Sequence, residues 1–95
     1  MESKKIDCVF QVSEQFSLNA MAHLFEHKYA GRIFWFGVAQ FDERTDKLPI
    51  ERVIRLSFDD GRIGYVTIRD GKMSADGYFE VAFIGMDELK DVAQS

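Results

Sequence analysis

The amino-acid sequence predicts an α+β domain: an antiparallel sheet of four to five strands in the order β-α-β-β-β-β-α, with one amphipathic helix packed on one face. Three observations predict it. Several short segments alternate apolar and polar residues with period two, as half-buried strands do. One segment, 17–30, spaces its apolar residues at i, i+3 and i+4, as a helix does. The second half is punctuated by Asp60-Gly61, Asp70-Gly71 and Asp76-Gly77, pairs that suit tight turns. At 95 residues the chain is one domain, 1–95.

The elements follow in order. Residues 5–13 read as a strand with Ile6, Cys8, Phe10 and Val12 on one face and Lys5, Asp7 and Gln11 on the other. Ser17 can cap a helix that runs to about Ala30, and Gly31 stands where a left-handed C-terminal residue belongs. Leu18, Met21, Ala22, Phe25 and Tyr29 form its apolar stripe. Residues 32–41 read as a strand with two apolar faces, Phe34, Phe36 and Val38 on one and Ile33, Trp35, Ala39 and Phe41 on the other. Asp42–Pro49 is a polar connection. Strands at 50–58, 62–69 and 78–84 follow, joined by short turns and therefore antiparallel neighbours. Met86–Gln94 reads as a short terminal helix capped by Asp87. The glycines at 61, 64, 71, 77 and 85 are expected at turns and strand ends.

The hairpin at Asp59–Gly61 admits two registers, and one residue of slip exchanges the faces of both strands. A two-residue loop places Ile63 and Tyr65 beside Phe58 and Leu56. A three-residue loop with Gly61 as a left-handed bulge places Val66 and Ile68 beside Ile54 and Leu56. The second collects the aliphatic residues on one side and is preferred. It leaves Val53, Arg55, Ile63, Tyr65, Thr67 and Arg69 on the other face.

The totals exclude several classes. The chain is 46% hydrophobic and 14% aromatic, enough for a packed core and far from a disordered composition. Twelve basic and sixteen acidic residues give a net charge of −4, without a run of one sign, so no basic tail addresses nucleic acid. One cysteine, Cys8, cannot form an intrachain disulfide; it falls in an alternating apolar stretch and reads as a small core residue. A secreted domain of this size usually carries several cysteines, so a cytoplasmic location is expected. Met1–Lys5 has the charge of a signal-peptide start, but Asp7 and Gln11 interrupt the apolar run that should follow. No stretch has the length and apolarity of a membrane-spanning helix, and no membrane partner is expected.

One motif bears on chemistry. His23-Leu24-Phe25-Glu26-His27 spells H-x-x-E-H. On a helix, histidines at i and i+4 share a face and can hold one Zn²⁺, with the glutamate as general base. Locally the segment Ala22–His27 is similar to the zinc-binding helix of the inverzincin peptidases, and His27–Gly31 resembles the segment after the same motif in S-ribosylhomocysteine lyase. The resemblance implies His23 and His27 as ligands and Glu26 as base. It covers about ten residues. A catalytic zinc takes three protein ligands, and these are the only two histidines, with no cysteine after them. On the helical wheel the three residues also lie away from the apolar stripe. No metal ligand, catalytic residue or cofactor is therefore assigned. No phosphate-binding glycine loop and no Ser/His/Asp set occurs.

The surplus of large apolar residues is the most informative feature. One helix covers one face of a sheet, yet Trp35, Phe41, Tyr78 and Ile84 compete with Phe34, Phe36, Phe79 and Phe83 for burial. An uncovered apolar face marks an interaction site. The expectation is a small non-enzymatic protein–protein interaction module (a regulator, inhibitor or adaptor) forming a homodimer or binding another protein. Its interaction face comprises Trp35, Phe41, Val53, Arg55, Ile63, Tyr65, Arg69 and Tyr78. Arginines interleaved with aromatics make single-stranded nucleic-acid binding an alternative, though the acidic chain carries no RNA-binding motif and nucleic acid is not the expected partner. A zinc-dependent hydrolase using the H-x-x-E-H helix is the other alternative.

Overall fold

The computed structural model describes residues 3–42, 48–49 and 52–91, and all regular structure among them is β. The described residues form seven strands: β1 (Ser3–Ser13), β2 (Phe16–Tyr29), β3 (Arg32–Phe41), β4 (Val53–Phe58), β5 (Arg62–Met73), β6 (Phe79–Gly85) and the short β7 (Lys90–Asp91). Every pairing is antiparallel. The six long strands follow the order β4-β1-β2-β3-β6-β5, and β5 pairs back with β4, so the sheet closes into a ring. Closure covers the inner face without a helix. The core is the inside of the ring.

This overturns the α+β expectation. The segment expected as a helix over 17–30 is β2, paired with β1 from Ser3↔Phe25 to Ser13↔Phe16 and with β3 from Met21↔Gln40 to Tyr29↔Arg32. Its apolar stripe is split between two faces. Leu18, Ala22 and Leu24 belong to the core, whereas Met21, Phe25 and Tyr29 alternate with them and point outward. A backbone laddered on both edges satisfies its hydrogen bonds between strands, and that outweighs a weak local preference for helix. Gly31 does have positive φ (+79°), but as one half of a two-residue hairpin turn whose other half is Ala30 (φ +53°).

The terminal helix expected over 86–94 is also absent from its described part. After Gly85 the chain continues the β6 ladder, with the Met86 N–H donating to the Tyr65 carbonyl at 2.8 Å. It then bulges at 87–89 and pairs again as β7, Arg62↔Asp91 and Ile63↔Lys90. Residues 92–94 of that expectation lie outside the described residues. So do 43–47 of the polar connection and 50–51 of the strand expected over 50–58.

The bulged register of the Asp59–Gly61 hairpin is the one observed. Ile54 faces Val66 and Leu56 faces Gly64. Gly61 has φ +93° and donates to the Phe58 carbonyl at 3.0 Å.

Inside the ring, the inward residues of six strands form one cluster. Phe10, Leu24, Leu56, Val66, Ile68, Val81 and Phe83 are its largest fully buried side chains. Phe10 lies 5.4 Å from Phe41 and 6.0 Å edge-on to Phe83, centroid to centroid. Trp35 packs edge-on against Phe58 (5.9 Å) and at 6.2 Å from Phe83. Small residues make room for these rings. A Cβ on Gly64 or Gly85 would overlap the Trp35 indole, and one on Gly37 would stand 2.7 Å from Phe83. Gly64 and Gly85 therefore serve ring packing as well as strand geometry. The smallness of Ala22, Ala39 and these glycines is the space that the aromatic core occupies.

Candidate functional site: an apolar belt on the outer wall

Strand alternation that points Trp35 and Phe41 inward points Phe34 and Phe36 outward. Register then aligns outward residues across the wall. Phe25 faces Phe36, Phe36 faces Ile84, Ile84 faces Thr67 and Thr67 faces Val53, a row that crosses five strands. The Phe25 and Phe36 rings stack at 5.4 Å with 9° between their planes.

A second row lies one step along the strands. His27 faces Phe34, and Tyr65 faces Arg55. Met86 sits between these pairs: its N–H bonds to Tyr65, and its side chain shares a small cleft with Phe34. Most of these side chains are open to solvent. Phe34 is 48% exposed, Tyr65 52% and Val53 54%, with Phe36, Ile84 and Met86 also exposed.

The two rows contain no carboxylate. Their cations are arginines. Arg55 stands opposite Tyr65, and Arg32 lies 6.0 Å from the centre of the Phe34 ring. Asp87 and Glu88 stand at the margin beyond Met86 and line the same cleft as Arg32 and Phe34. The belt is thus an apolar centre with charges of both signs at its edge.

The residues expected to form the interaction face divide. Val53, Arg55 and Tyr65 lie together on the belt, and Ile63 is half-buried on the same side of β5. Arg69 is exposed at the bulge between Ile68 and Asp70. Tyr78 is exposed, but on another part of the wall, beside the β5–β6 turn. Trp35 (2% exposed) and Phe41 (4%) belong to the core and take no part in a surface. Phe25, Phe34, Phe36, Ile84 and Met86 complete the belt and were not in the expected set. The signal for them was the two-sided apolar pattern of 32–41. It announces an outer apolar row without saying which of the two rows is outer.

The histidine motif lies on a strand. His23 and His27 both point outward, and four steps along the strand put their Cα atoms about 13 Å apart, too far to share one ion. Glu26 points to the opposite side of β2 and accepts from the Arg62 guanidinium at 2.5 Å. The helical geometry on which the zinc reading depended is not there. Among the described residues no group of three or more potential ligands is gathered to hold a metal.

Arg62 also donates to Asp60 at 2.9 Å, and Lys4 reaches the same carboxylate at 3.4 Å. With Glu26 they form a chain of charges from β2 to the β4–β5 turn and β1. Partial burial works to raise the Asp60 carboxyl. It is outweighed by hydrogen bonds from the Arg62 backbone and side chain, by the arginine charge and by Lys4, which together hold it below the ordinary aspartate value. The Arg62 guanidinium lies 5.9 Å from the Phe58 ring centre. These partly exposed contacts link β2, β1 and the β4–β5 turn at the surface.

On the far side of the ring, a shallow groove of about 1030 Å³ crosses β4, β1, β2 and the start of the Asp42 connection. Asp7, Asp42, Asp59 and Asp76 line it with Lys5, His23, Asn19 and Tyr78. Cys8 lies beneath it, buried, with its thiol pushed up to about 12 by burial and then by the charge of Asp7. A thiol in that state stays protonated at neutral pH and is a poor nucleophile.

The chain matches no protein-family model, no curated protein sequence and no solved structure.

Proposed function

We propose that this protein is a non-enzymatic interaction module of the cytoplasm, a small regulator, inhibitor or adaptor, whose working surface is the outer apolar belt. The observation that carries this reading is the unbroken outward-facing row Phe25–Phe36–Ile84–Thr67–Val53, half-buried at Phe25 and Thr67 and exposed at Phe36, Ile84 and Val53, with exposed Phe34, Met86 and Tyr65 beside it. Scattered surface apolar residues are ordinary, but a contiguous set across five strands is what an interface presents. Its makeup is that of an interface centre: aromatics, Met and Arg, with Asp, Glu and Lys outside the two rows.

The partner that fits first is a second copy of the chain. The rim carries Arg32 and Arg55 together with Asp87 and Glu88, so one belt can offer both signs to another. Light scattering over a range of concentrations tests this. The expected mass is twice 11.0 kDa. A Phe34→Ser/Val53→Ser double variant, folded by circular dichroism, is expected to be monomeric. A wild-type protein that stays monomeric at every concentration would remove the second copy as the partner.

Arg32 over Phe34 and Arg55 opposite Tyr65 favour one further reading, single-stranded nucleic acid stacked on the same rings. It predicts binding of a labelled oligonucleotide that weakens steeply with salt and is lost in Arg55→Glu. Absence of binding at low salt would retire it.

A further inference from the structure

We draw no further inference here: the strongest candidate, the groove over β1 and β2 lined by Asp7, Asp42, Asp59 and Asp76, is a cluster of aspartates that nothing else in the structure marks as a ligand site.

Discussion

The indole N–H of Trp35 on β3 donates to the backbone carbonyl of Asp87, 52 residues further along the chain. That bond ties the bulge after β6 to the ring's interior. Leu89, two residues on, packs against the same core and closes over Gly64. The bulge, the indole and the glycines form one fitted unit. Trp35→Phe removes the indole donor from this carbonyl and is expected to cost about 1–3 kcal/mol. Gly85→Ala drives a methyl into the indole and is expected to cost at least as much, about 1–3 kcal/mol or more. Urea denaturation followed by far-ultraviolet circular dichroism measures both. A neutral Gly85→Ala would mean the indole has room to move.

Ala30 occupies the first central position of the β2–β3 turn with φ +53°, a conformation that costs a Cβ-bearing residue roughly 1–2 kcal/mol. Asparagine tolerates it better, and Ala30→Asn creates the Asn-Gly pair that such two-residue turns prefer. The variant is expected to be more stable by about 0.5–1 kcal/mol, seen as a raised midpoint in thermal unfolding. A lowered midpoint would show that the turn does not hold this geometry.

Cys8 contributes a pH dependence at the alkaline end. Its folded-state value is raised to about 12, whereas in the unfolded chain the thiol ionises near 8.5. Above that value the unfolded chain has lost a proton that the folded chain retains, so stability falls as pH rises. The slope from this group is about 1.4 kcal/mol per pH unit until the folded value is reached. Cys8→Ala starts less stable and is expected to lack that slope. The native thiol is also expected to react with a maleimide only at the rate of unfolding.

Asp60 contributes at the acid end, with the opposite sign. Its carboxyl is held below the ordinary value in the folded state. The stabilisation is therefore fully present above about pH 4 and is lost as pH falls through the lowered value. At pH 7 Asp60→Asn is expected to cost about 1 kcal/mol, a modest figure because the carboxylate is partly exposed. The gap between variant and wild type is expected to close on acidification below pH 4. A gap that persists unchanged at pH 2 would place its origin in the turn backbone, where the Asp60 side chain accepts from the Arg62 N–H at 3.1 Å.

Much of the strand content was readable because alternation is a local property. Ile6, Cys8 and Phe10 of β1, and Val81 and Phe83 of β6, announce their inward faces one residue apart. The register of the Asp59–Gly61 hairpin was readable because only the bulged form gathers Ile54, Leu56, Val66 and Ile68 on one side. β2 was not readable in the same way. Its inward positions include Ala20 and Ala22, whose small side chains carry little signal, while Met21, Phe25 and Tyr29 outside are apolar enough to complete a helical stripe.

The belt was half legible. That 32–41 carries apolar residues on both faces follows from order alone, and so does the inference that one face must meet something. Which face is inner depends on ring closure. Trp35 goes inward because Gly64 and Gly85, from two other strands, leave a slot of its size. Phe34 and Phe36 are left outside as a consequence.

The sequence by itself determined a chain rich in antiparallel strands, with Cys8, Phe10 and the Ile54–Leu56 pair in its core and more apolar surface than one helix could cover. The tertiary structure decided that no such helix is needed. When the β4–β5 hairpin joins β1 at one edge and β6 at the other, the sheet becomes its own cover, and burial inside is satisfied by residues from all six long strands. Closure depends on contacts between segments far apart in the chain, and a window of a few residues holds no trace of them. It is closure, too, that separates the core rings Trp35 and Phe41 from the exposed rings Phe34 and Phe36 beside them.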